Sequence, residues 1–235
     1  MIPRNRRGGN AVTALFLAAL TFAAMHLLVS GTRVRGVLVA RLGERPYQGL
    51  FSLASAGVLG WLIWAYVRAR RPELTLLADW RWLAAALVFV AFTFIVLGLL
   101  TPGPTVVGGE KRLAREESAR GIHRVTRHPF LWGVSLWAAV HAVFNPGLAN
   151  LLFFGTFVIV GVAGTFSIDA KRARAFGDSW RRYCERTSNI PFAAILRGRN
   201  TLALREFGWL GPGAVLAVFV AFSLLHARFF GLPPF

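Results

Sequence analysis

Three of the five histidines in this 235-residue chain, His26, His141 and His226, stand inside long apolar runs. An imidazole sunk in hydrocarbon is costly unless it has a partner, so such a residue is a candidate for a functional site, the plainer reading being a neutral ring that donates to a backbone carbonyl of a neighbouring helix. The three fall on separate segments with no carboxylate inside any of them. Zinc and di-iron sites lean on Asp and Glu, whereas a haem b needs one or two neutral imidazoles and an apolar, aromatic slot. Trp137 lies four residues before His141 and Phe144 three after it, a spacing that puts both on the histidine's helix face. The set points to an iron porphyrin ligated from among His26, His141 and His226, with Trp137 beside it and His141 as a catalytic candidate.

A second cluster is "RVTRHP", in which Arg124, Arg127 and His128 crowd ahead of Pro129. Guanidinium forks bind carboxylates and phosphates bidentately, so this cluster is suited to a lipid phosphate, a haem propionate or a cofactor carboxylate. The plainer reading of the two arginines is anchoring at a membrane surface; His128 is the second candidate for chemistry. Cys184 is the only cysteine, which excludes an internal disulfide, a cysteine-ligated iron-sulfur cluster and a C-x-x-C-H haem attachment.

Apolar helices must position these residues. The chain is 55% hydrophobic and 16% charged, against roughly 25% charged in soluble domains, which makes it an integral membrane protein. Its formal charge of +17 lies mostly between apolar runs, as expected of loops beside anionic membrane lipids; no nucleic-acid-binding motif is present. Runs at about 11–30, 47–67, 82–100, 130–144, 148–167 and 208–228 predict an all-α, polytopic bundle of about six transmembrane helices in a single membrane domain. The basic N-terminus and first run read as a retained span, because the run is longer than the apolar core of a signal peptide. "NPG" at Asn145–Gly147 predicts a tight turn joining helices four and five as an antiparallel pair. Loops one, three and five hold 19 of the 27 Lys and Arg residues, which places them in the cytoplasm and both termini outside, in the periplasm of a bacterial inner membrane. The long cytoplasmic loops are then about 101–129 and 168–207. In the second, Phe176, Trp180 and Tyr183 recur at helical spacing among arginines and predict an amphipathic helix lying on the membrane.

Depth separates the histidines. At helical rise, His141 and His226 each lie about 7 Å from the outer ends of their spans and His26 about 20 Å from its own, which pairs His141 with His226.

"HLLVSGTRVRGVLVARLGERPYQGLFSL", "TPGPTVVGG", "GIHRVTRHPFLWGVSLWAAVHAVFNPGLANLLFFG" and "FGDSWRRYCERTSNIPFAA" together resemble the NnrU family of bacterial membrane proteins. That family is similar to the plant 15-cis-ζ-carotene isomerases and is linked by name with nitric-oxide and denitrification metabolism. The resemblance implies a polytopic protein which, in the isomerase branch, binds haem b and turns a cis polyene double bond trans. It implies His26 and His141 as the haem ligands, and the depth comparison keeps His226 as a substitute. A wider likeness is to the isoprenylcysteine and phospholipid methyltransferases, which share the R-H-P segment. Where those enzymes carry two adjacent glutamates this chain has Ile168 and Asp169.

Three functions follow as expectations: a haem-dependent isomerase or redox enzyme acting on a lipid-soluble polyene such as a cis-carotene, an S-adenosylmethionine-dependent membrane methyltransferase, and a non-catalytic accessory to nitric-oxide metabolism.

Overall fold

The computed structural model describes residues 6–69, 80–106, 109, 112, 113 and 119–231. The second loop, most of "EKRLAREES" and two residues of "TPGPTVVGG" lie outside the described residues. Within them every regular element is helical. Helix α1 (Arg6–Ala24) runs into a π-helical turn at Met25–Val29 that carries His26, and α2 (Arg33–Leu42) follows. Next come α3 (Glu44–Ala69) and α4 (Arg81–Leu100). The single turn α5 (Ile122–Val125) leads to α6 (Pro129–Phe144) and the long α7 (Leu148–Arg186). A second single turn, α8 (Ala193–Leu196), precedes α9 (Leu210–Phe230).

Five of these helices are long and apolar enough to cross a membrane, and α6 is the shorter apolar helix among them. Their exposed faces carry side chains such as Leu53 and Leu224, more than 70% exposed, as faces in contact with acyl chains require. Helix α6 starts with Pro129 at its first turn, where a missing N–H costs nothing, and ends at Asn145. Gly147, at φ 149°, then opens α7, and the Asn150 side chain bonds back to the Asn145 carbonyl at 2.8 Å. The predicted turn is therefore present, and α6 and α7 form a hairpin.

Small residues let α4, α6 and α7 approach closely, as they do where helices associate without a hydrophobic driving force. A Cβ on Gly133 would meet the Ala91 carbonyl at 2.8 Å and Ile95 at 2.7 Å; one on Gly161 would strike the Ser135 hydroxyl. Helices α1 and α3 pack on the α7 side of this central trio, and α9 packs on α4. Leu15, Phe22, Leu62, Ala138, Phe153 and Phe154 form the largest buried apolar cluster.

The first loop contains the helix α2, capped by the Thr32 side chain, which accepts from the Val34 N–H at 3.2 Å. One expectation is corrected. Residues 168–176 continue α7, and residues 178–186 form a separate helical segment beyond a break at Gly177, packed on the third loop instead of lying on the membrane surface. Gly177 makes the break at φ 45° and ψ −117°, a backbone conformation that side chains with a Cβ rarely adopt. Beyond the bend Trp180 and Tyr183 are buried against Ala119 and Leu113 of the third loop. Their helical spacing was correctly read, but protein covers that face.

Candidate functional site

Helix α6 carries candidate chemistry at both ends. His128 and His141 are thirteen residues apart, about 20 Å at helical rise, so they belong to two different sites.

At the basic end, the third loop delivers Arg127 and His128 onto Asp169, which lies just past the apolar part of α7 and outside the membrane-spanning segment. Arg127 donates through Nε to Oδ1 at 2.9 Å and through Nη2 to Oδ2 at 2.5 Å. His128 donates Nε2–H to Oδ1 at 2.7 Å, and Asn189 donates its amide to Oδ2 at 2.9 Å. Asn189 is fixed in turn: its backbone carbonyl accepts from the Thr126 hydroxyl at 2.5 Å and from the Trp132 indole at 2.8 Å. Burial pushes the His128 imidazole below its ordinary value, with the Asp169 bond working against this, so it serves as a neutral donor. Burial would by itself raise Asp169, but the His128 N–H and the Arg127 guanidinium outweigh it and hold the carboxylate well below its usual range.

Arg124 is committed as well. It makes a two-pronged pair with Glu206, Nε to Oε2 at 2.8 Å and Nη2 to Oε1 at 2.6 Å, while its Nη1 reaches Asn200 at 2.7 Å. Glu206 also accepts the Gly121 N–H at 2.6 Å, and the hydrogen bond from Arg124 pulls its carboxyl down to about 2. The sequence reading offered Arg124, Arg127 and His128 to an external anion; the fold instead bonds all three to carboxylates of the chain itself. Asp169 stands out in the sequence only as a surviving acid, and Asn189, Asn200 and Glu206 carry no signal at all: Asn189 is 20 positions from Asp169, and Asn200 and Glu206 are 76 and 82 positions from Arg124. With four donors on its two oxygens, Asp169 has little capacity left for a methyl-donor cosubstrate.

At the opposite end, His141 donates Nδ1–H to the Trp137 carbonyl one turn back at 2.8 Å. A carbonyl can only accept, so the proton sits on Nδ1 and Nε2 carries the lone pair, as in an imidazole prepared to bind a metal. His26 has the same arrangement, with Nδ1 on the Phe22 carbonyl at 2.9 Å. Around His141 the Trp137 and Phe154 rings both stand 4.9 Å away, centroid to centroid. The predicted Trp137–His141 neighbourhood is thus present.

The structure separates the three histidines. Contacts of Phe22 with Phe157 and of Gly31 with Ser167 set α1 alongside α7 in parallel and bring His26 level with Gly161. His141 is level with Phe154, about 10 Å from that height at 1.5 Å per residue. Phe157 and Trp137, 6.1 Å apart, fill the space between. His226 on α9 packs on Phe230. Among the described residues no three His, Cys, Asp or Glu side chains gather as a bare zinc or di-iron ion would require. The His141 imidazole, bonded through Nδ1 to the Trp137 carbonyl and set among aromatic rings, fits the ligand chemistry of an iron porphyrin.

The NnrU protein family matches residues 14–234. The chain belongs to that family. Among curated proteins it is similar to the chloroplastic 15-cis-zeta-carotene isomerase of Arabidopsis thaliana, 24% identical over 226 residues covering 93% of this chain and 60% of the relative. The Zea mays protein of the same name is 24% identical over 234 residues, 93% of this chain and 62% of the relative. This NnrU protein thus spans about 60% of the length of those relatives. No solved structure matches it significantly.

Proposed function

We propose that this NnrU protein is a membrane isomerase that converts a cis double bond of a lipid-soluble polyene to trans, with haem b held by His141. Support comes from the two isomerase relatives, and the observation that carries the reading is the setting of His141: with Nδ1 on the Trp137 carbonyl, Nε2 is left to bind iron beside the Trp137 and Phe154 rings. The second ligand is His26, as the resemblance implies, or His226, as the depth of the histidines in their spans favours. An iron porphyrin bound there supplies redox or Lewis-acid chemistry toward a double bond. The chain's own contribution is ligation, orientation and exclusion of water: Trp137 and Phe154 flank the imidazole and offer flat surfaces to a conjugated chain. Apolar helix faces admit such a substrate sideways from the bilayer. The cluster at the other end of α6 fixes that helix against α7 and takes no part in the chemistry. The basic end faces the cytoplasm in this reading, by the distribution of Lys and Arg.

Purified protein in detergent tests the reading. A Soret band that shifts on dithionite reduction is expected, with loss of most of it in His141→Ala. A polyene offered in cis form should be isomerised by wild type and not by that variant. Full pigment in His141→Ala, or a colourless wild type that binds S-adenosylmethionine, would refute the proposal. Pigment lost in His226→Ala but kept in His26→Ala identifies the second ligand.

A further inference from the structure

Three helix ends fix one level at the basic end of the bundle. A Cβ on Gly98, near the close of α4, would meet the Phe130 nitrogen at the start of α6 at 2.9 Å, and one on Gly211, at the start of α9, would meet Leu97 at 3.0 Å. Leu100, Pro129 and Leu210 therefore stand at a similar height, where apolar spans end and acyl chains give way to headgroups. The chain leading into α9 keeps to that height. Ile195 of α8 and Phe207 of the 3₁₀ turn Leu204–Phe207 pack on the cluster that holds Leu97 of α4 and Val215 of α9.

The opposite side of this segment is apolar as well. Ile190, Phe192, Leu196, Leu202, Leu204 and Trp209 are all exposed, Leu196 at 83%, Leu204 at 69% and Trp209 at 80%. Hydrogen bonds tie the backbone beneath them. Phe192, at φ 64°, occupies the left-handed region that a bulky residue rarely adopts. Its N–H donates to the Val125 carbonyl at 2.8 Å, and its own carbonyl accepts from the Leu196 N–H at 2.9 Å. The Ser188 hydroxyl accepts from the Ala194 N–H at 2.9 Å. Surroundings that hold a residue in such a conformation define the segment's shape, so its exposed side chains belong to a built surface.

Exposed apolar surface of this extent marks a binding face, and continuity identifies what covers it. Trp209 runs without a break into α9, whose exposed side chains Leu216, Val220 and Leu224 already require lipid, and tryptophan prefers the interfacial level. We propose that residues 190–209 lie in the membrane interface, with Leu196, Leu204 and Trp209 seated at the boundary of headgroups and acyl chains, so that the bilayer is the partner of this face. The latter part of the second long loop is then a membrane-seated elbow instead of a loop in water. The proposal is separate from the histidines and stands whether or not the protein is an isomerase.

The full chain in phosphatidylcholine vesicles tests it. Cys184→Ser removes the only cysteine, and Leu196→Cys or Leu204→Cys then carries a nitroxide label whose collisions with oxygen, concentrated in hydrocarbon, and with a water-soluble nickel chelate are compared. Arg181→Cys, at a side chain 70% exposed beyond the Gly177 break, is the reference for water, and Val220→Cys, midway along α9, the reference for lipid. The oxygen-to-nickel ratio at 196 and 204 should exceed that at 181 and approach that at 220. A ratio equal to that at 181 overturns the proposal, and so does protection from both reagents, which would mean that a second copy covers the face. Should the cysteine-free chain fail to fold, tryptophan emission of the wild-type chain carries the test. Lipids brominated near the headgroup should quench a component that is missing in Trp209→Phe, and a Trp209 component that stays unquenched refutes the interfacial seat.

Discussion

The two ends of α6 treat polar groups in opposite ways. Around Asp169, donors and acceptors are matched until both carboxylate oxygens are filled: two arginine nitrogens, an imidazole and an amide converge on one side chain. Around His141 one hydrogen bond is made and one nitrogen is left over. A network that satisfies itself stabilises a fold; a fixed imidazole with a spare lone pair stabilises nothing further until a ligand arrives. That contrast, more than residue type, separates the histidine held within a network from the one proposed as a ligand.

The comparison can be broken most forcefully at Asp169. Asp169→Asn leaves the Arg127 guanidinium half-buried without its counter-charge, which should cost about 3–5 kcal/mol, read as a fall in melting temperature or in folded yield. If the variant melts like wild type, the basic end is not the structural one. Next in size is the seat of α6 itself. Gly133→Val should cost about 1–3 kcal/mol, because a side chain there drives into the α4 backbone at Ala91, and pigment and stability should fall together.

At the other end the sign of the contrast reverses. His141→Leu should change stability by no more than about 1 kcal/mol, since the lost bond is a single one to a helix carbonyl, while haem binding disappears. A large loss of stability would make His141 structural after all. The smallest effect concerns pH. Glu206 is held at about 2, below its ordinary 4.5, so its contribution is complete above about 4.5 and is lost as pH falls toward about 2. Melting curves between about pH 5 and about pH 3 should therefore fall more steeply for wild type than for Glu206→Gln.

Much of this molecule was legible beforehand because burial in lipid enforces length and hydropathy on every span. The Asn145–Gly147 turn and the Pro129 start needed only local chemistry, and the Trp137–His141 neighbourhood needed only helical periodicity. The Phe176, Trp180 and Tyr183 stripe was found, but its destination was misjudged, because periodicity reports that a face is apolar and not whether lipid or protein covers it. Arg124, Arg127 and His128 were singled out as an anion site for a related reason: residue type reveals the charge, while its partner can lie anywhere in the chain.

By itself, then, the amino-acid order determined an all-helical membrane protein, the approximate limits of its spans and the residues able to carry chemistry. These depend on neighbours within a turn or two and on the solvent each segment must face. Only the tertiary structure decided which cations Asp169 and Glu206 neutralise and which aromatic rings surround His141. Those outcomes depend on which helices pack side by side and at what height, and no local rule of spacing contains that information.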